Sequence, residues 1–200
     1  MIRARRVTRA FDGESPVLAG ISLDVSRGEC LVVSGARRSG KSTLLRIVAT
    51  LLRPTAGSVE LDGRDVYAAA SDARQRVAFA DPWIDPAGEL TAAEYLRFSG
   101  GPNAHDAAGA SRRLAIDPRA RLDSLDARER VRLACAAALA SRRDVIVLDG
   151  AADLVARDEA LREWIREATA TGSAVILEAD AAAAPALDGR VLDLSNGRRT

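Results

Sequence analysis

Apolar residues recur along the chain in two rhythms, and the order of those rhythms carries the first structural expectation. Residues 17–25 (VLAGISLDV) and Cys30–Ser34 (CLVVS) are short, β-branched runs, with turn signals at Asp12-Gly13 and Arg27-Gly28. After Gly40 the period lengthens. Leu44, Leu45, Ile47, Val48, Leu51 and Leu52 form a 3.6-residue stripe that stops before Pro54, which predicts a helix. Another strand and turn are expected over 58–63. From residue 81 to 123 the apolar pattern thins, prolines and Gly100-Gly101 interrupt it, and helical spacing survives only over 90–98 and 107–116. A small helical lobe is the expectation there. A helix over about 126–142 follows, then an apolar run at 144–149 of the length of a buried parallel strand, a helix at 158–170, and strands at 173–178 and 190–194. Such alternation implies a mainly parallel sheet covered by helices, an α/β fold preceded by an antiparallel β part. The stretch from Ala181 to Ala186 is too uniform to place by pattern.

Length and charge narrow the classes. Two hundred residues, 48% of them apolar, suit one domain, with 1–80 as a β-rich part, 81–125 as the helical lobe and 126–200 as the return to the core sheet. Basic and acidic residues number 29 and 28, so the overall charge gives no reason to expect a nucleic-acid partner. No run approaches the roughly 18 apolar residues of a membrane span, so no membrane insertion is expected. Cys30 and Cys135 lie in apolar stretches without metal-ligand spacing and read as small core residues suited to a reducing cytoplasm. Trp83 and Trp164 read as packing residues, and the arginine clusters at 112–113, 119–121 and 128–132 as solvated helix faces.

One basic residue stands apart: Lys41 is the sole lysine in a chain whose other cations are arginines. A compact ammonium fits a confined phosphate site that a planar guanidinium does not. Residues 35–42, GARRSGKS, satisfy the G-x-x-x-x-G-K-[ST] spacing between a predicted strand and a predicted helix. In that context the backbone N–H groups of Gly35, Ala36, Arg37, Arg38, Ser39, Gly40, Lys41, Ser42 and Thr43 are candidates to cradle nucleotide phosphates. Lys41 would reach the β- and γ-phosphates, and the Ser42 hydroxyl would ligate Mg²⁺. The run VIVLD ends in Asp149, which would face the water shell of that ion.

With these motifs the chain resembles the ATP-binding-cassette domains over nearly its whole length. VLAGISLDVSRGECLVVSGARRSGKSTLLRIVATLLRPTAGSVELDG is similar to the family's N-terminal half almost position by position. The resemblance implies a P-loop fold of that type, ATP and Mg²⁺ as cofactors, and Phe11 stacked on adenine, against the alternative of a core aromatic near the first strand. It also implies two partners, a membrane-spanning transporter subunit and a second cassette, and a cytoplasmic place at the inner face of the cell membrane.

The second half departs from the family pattern. Gly150 stands where the family has its general-base glutamate, Asp180 corresponds to the switch histidine, and Ala156 to the D-loop aspartate. The lobe-joining glutamine falls near Asp81, a candidate metal neighbour, while the sole glutamine, Gln75, comes earlier and the sole histidine, His105, reads as a surface residue of the lobe. Of the signature motif only Ser124 survives in Asp123-Ser124-Leu125-Asp126-Ala127, and Arg38 replaces a P-loop glycine. Glu178, near the end of the adjacent strand, is either a substitute base or a solvated or salt-bridged side chain. Three functions remain open: an ATP-binding subunit of a membrane transporter with impaired hydrolysis, a soluble pseudo-ATPase regulator or scaffold, or an active ATPase with non-standard residues.

Overall fold

The computed structural model describes residues 1–11, 15–81, 89–100 and 107–195. The Asp12-Gly13 turn, Trp83, Gly101 and His105 lie outside them.

Two sheets divide the β-structure. The first is antiparallel and contains β1 (Ile2–Arg9), β2 (Leu18–Val25), β4 (Ala56–Leu61) and β5 (Arg64–Asp65) in the order β2-β1-β4-β5. The second holds β3 (Cys30–Ser34), β6 (Val77–Ala80), β7 (Val145–Leu148), β8 (Ala174–Glu178) and β9 (Arg190–Asp193) in the order β6-β7-β8-β3-β9, with every pairing parallel. The expected α/β architecture, with its antiparallel part, is therefore present. All four residues of β7 are buried, as a continuous apolar run covered on both faces requires.

The central strand of the antiparallel sheet, β1, has no clear signal in the sequence. Ile2, Ala4 and Val7 are its buried residues. Their alternation with arginines breaks between Ala4 and Val7, where the register shifts and Arg6 takes φ 45°. The facing strand accommodates that irregularity with Gly57, at φ 90°, where a Cβ would lie 2.5 Å from the carbonyl oxygens of both Arg5 and Arg6. The turn between β4 and β5 carries positive φ at both Asp62 and Gly63, the twist that a two-residue hairpin favours.

Helices α1 (Lys41–Val48), α2 (Ala70–Arg76), α3 (Ala92–Ser99), α4 (Ala107–Arg113), α5 (Ala127–Ala140), α6 (Ala152–Arg157) and α7 (Glu159–Ala170) complete the fold. Helix α1 buries Leu44, Leu45, Ile47 and Val48 of the expected stripe but ends at Val48, so Leu51 and Leu52 lie beyond it and Leu51 is exposed. The lobe forms as α3 and α4 packed on α5. The uniform stretch from Ala181 to Ala186 lies in a 3-10 helix (Ala181–Leu187) begun by Asp180, whose carboxylate accepts from Ala182 N at 2.9 Å. Both cysteines are buried. Trp164 is half-buried against the core, with Arg113 stacked over its ring and paired to Glu167. Among the described residues no helix is long and apolar enough to cross a membrane.

Candidate functional site

Parallel pairing sets the C-terminal ends of β3, β7 and β8 side by side, and the loops leaving those ends build the site. The loop after β3 wraps from Gly35 to Gly40 and opens α1, whose first residue is Lys41. Within it Arg38 takes φ 65°, the left-handed region that a glycine occupies without cost, and an arginine held there costs about 1–2 kcal/mol. The loop borders a cavity of about 470 Å³ lined by Arg37, Arg38, Gly40, Lys41, Ser42, Thr43, Val17 and Glu178. Ala36, Arg37 and Arg38 are exposed, whereas Lys41 is largely buried.

The loop closes on its own lysine. Lys41 Nζ donates to the carbonyl oxygens of Gly35 and Ala36, each at 2.8 Å, and lies 3.5 Å from Glu178 Oε1. Ser42 Oγ donates to Asp149 Oδ1 at 3.0 Å, which joins the first turn of α1 to the end of β7. Asp149 is buried, and its second oxygen, Oδ2, has no partner. Burial, chiefly, and the carboxylates of Glu178 and Asp81 raise its pKa, opposed by the Ser42 hydrogen bond and Arg46. A buried carboxylate oxygen without a donor, beside a hydroxyl at the mouth of a phosphate loop, fits an Mg²⁺ shell. Asp81 belongs to the same surroundings but is ion-paired to Arg46 at 3.4 Å. No cluster of three metal-ligating side chains occurs among the described residues, so Ser42 and Asp149 would leave most of the ion's positions to phosphate and water.

Gly150 follows Asp149 with φ 67°, a backbone conformation suited to glycine. Its N–H donates to Asp149 Oδ1 at 3.1 Å and to Glu178 Oε2 at 3.2 Å. Glu178 is therefore ion-paired at the site, in keeping with the solvated or salt-bridged reading of this side chain. Phe11 is 41% exposed under the guanidinium of Arg9, which excludes its reading as a core aromatic. Asp180 is exposed and turned to its own helix, two residues past the end of β8. Gln75 is exposed on α2 and Ala156 on α6.

Within the signature-like segment Leu125 is buried in the lobe core. Asp126 is exposed and caps α5: it accepts from Glu129 N at 2.8 Å while Glu129 accepts from Asp126 N at 2.9 Å. Sequence reasoning missed this capping box, although the D-x-x-E spacing signals it. It also did not foresee the Lys41–Glu178 pair, which only the adjacency of β3 and β8 creates.

Compared with known proteins, the chain matches the family described as ABC transporter over residues 18–153. It is 34% identical to the lipoprotein-releasing system ATP-binding protein LolD 1 of Caulobacter vibrioides, across 100% of this chain and 94% of that protein. It is also 34% identical to the macrolide export ATP-binding/permease protein MacB of Rhodopseudomonas palustris, across 92% of this chain and 31% of that one. Among solved structures, a dimeric structure of MJ0796, a bacterial ABC transporter cassette, overlays with a TM-score of 0.84 over 98% of this chain and 95% of its own, at 22% identity, a likeness of fold.

Proposed function

The chain belongs to the ABC transporter family, and from that premise we propose that it is the ATP-binding subunit of a membrane transporter that holds Mg·ATP at its P-loop and hydrolyses it slowly. The observation that carries the reading is the Ser42–Asp149 hydrogen bond with its buried, unpartnered Asp149 Oδ2, set beside the only lysine in the chain. Backbone N–H groups from Gly35 to Thr43 cradle phosphate, Lys41 exchanges its loop carbonyls for phosphate oxygens, and Phe11 offers an exposed ring to the base. Bound Mg²⁺ supplies charge neutralisation, with Ser42 and Asp149 as the side chains that hold it and Asp81 beside them.

Slow turnover follows from what surrounds that cradle. Gly150 brings no carboxylate to orient a water, and a positioned base is worth roughly 10²–10⁴ in rate. Glu178, the one candidate substitute, is engaged by Lys41 and by the Gly150 N–H. At the N-terminus of α5, which resembles the family's signature position, the Glu129 N–H is taken by the Asp126 carboxylate and the Asp126 N–H by Glu129. That self-capping weakens its purchase on a nucleotide held by a second cassette, so ATP-driven closure is weak. The names of LolD 1 and MacB, an ATP-binding protein of a releasing system and a combined ATP-binding/permease protein, support a permease partner. They support a cytoplasmic location at the inner face of the cell membrane in the same measure.

Titration calorimetry with Mg·ATP and Mg·ADP tests the site. Wild type binds, and Lys41→Ala loses binding by at least about tenfold, as removal of a charge-assisted phosphate contact requires. Equal affinities for the two proteins would remove the P-loop from the account.

A further inference from the structure

Glu178 is the last residue of β8, in parallel register beside Val33, and the three residues before it are buried and apolar. Nothing in the strand calls for a carboxylate at this position. What engages the side chain lies in the site: Lys41 Nζ at 3.5 Å from Oε1 and Gly150 N at 3.2 Å from Oε2. Its side chain is 22% exposed and that of Lys41 is 12% exposed, so solvent screens the pair only in part. The same carboxylate lines the cavity bordered by the P-loop and acts on Asp149 by charge repulsion.

Resting on the nucleotide-binding reading above, we propose that Glu178 is a specificity-determining residue that makes this P-loop prefer a nucleoside diphosphate over the triphosphate. A P-loop lysine is shared between β- and γ-phosphates. In this chain one of its neighbours is already an anion supplied by the protein. A diphosphate needs only the loop N–H groups and one contact with Lys41, which the Glu178 pair can tolerate. A triphosphate brings further negative charge to the end of the site where Asp149 and Glu178 stand. It must then displace Glu178 from both Lys41 and the Gly150 N–H, or accept like charge within a few ångströms. Mg²⁺ held by Ser42 and Asp149 offsets the Asp149 charge and leaves that of Glu178. The arginines bordering the cavity, Arg37 and Arg38, are exposed, and water screens what they contribute.

The proposal is tested by calorimetry of Mg·ADP and Mg·ATP on the full chain, wild type and Glu178→Gln, with circular dichroism to confirm folding. Gln keeps the shape and an oxygen for Gly150 N, and it removes the charge. Wild type is expected to bind ADP about tenfold or more tighter than ATP. Glu178→Gln is expected to strengthen ATP binding by about tenfold while moving ADP less than about threefold. Equal wild-type affinities for the two nucleotides overturn the proposal even if the variant does not fold, as does a variant that shifts both nucleotides alike. An absence of heat with either nucleotide on wild type is a different result, and it overturns the binding reading on which the proposal stands.

Discussion

At the end of β7 the carboxyl of Asp149 has one oxygen on Ser42, the other without a partner, and almost no solvent. Folding raises its pKa above the ordinary value of 3.8, chiefly through burial, so the native state binds that proton more readily than the unfolded chain does. The sign of the linkage follows: the ionised group costs stability above the raised pKa, and the cost fades as pH falls through it toward the ordinary value. Metal-assisted nucleotide binding has the opposite need and should weaken over that same interval. Asp149→Asn is therefore expected to raise the thermal midpoint of the nucleotide-free protein near neutral pH and to abolish the enhancement of nucleotide binding by Mg²⁺. A lowered midpoint, or Mg²⁺ dependence retained in the variant, contradicts this role. Gly150 sets the other limit. A glutamate there must adopt φ 67° at a cost of about 1–3 kcal/mol and would add a third carboxylate beside Asp149 and Glu178. Gly150→Glu should lower stability in urea by that amount and leave phosphate release unchanged, and an active, undestabilised variant would refute the argument.

Helix α5 is specified for stability at its N-terminal end. Its capping box ties the N–H groups of Asp126 and Glu129 internally, and Leu125 just before it is buried in the lobe core. Asp126→Ala should cost about 1 kcal/mol by loss of the cap, measured by denaturant unfolding, while Leu125→Ala should cost about 2–4 kcal/mol by leaving a cavity. Reversal of that order would mean that the segment is not packed as described. The strands and helices most visible in the sequence were those with one strong period: α1, α5, α7, β3, β7 and β8. Strand β1 was hidden because a bulge at Arg6 breaks its alternation, and α2 because its seven residues bury only Ala73. The P-loop was legible residue by residue, since its backbone geometry demands a fixed spacing. The Lys41–Glu178 pair was not, since two strands remote in sequence must first become neighbours.

Across the whole molecule, the two sheets are joined by charge as well as by packing. Arg76 pairs with Asp62 of the antiparallel hairpin at 2.5 Å and with Asp144 at the start of β7 at 2.7 Å, and Arg27 reaches both carboxylates. These pairs are partly exposed, so they orient the sheets more than they stabilise them. The frame that results sets the first turn of α1, with Lys41 and Ser42, against Asp149 at the end of β7, and the proposed binding there needs no general base. Binding and turnover are thereby separable, and the most direct test measures both on one sample. Wild-type protein saturated with Mg·ATP, as judged by calorimetry, is followed for steady-state phosphate release, with Lys41→Ala as the blank. The account predicts measurable binding with release indistinguishable from the blank or slow by about 10²–10⁴ against a turnover of order 10 s⁻¹. Release near that turnover, abolished by Lys41→Ala, would contradict it.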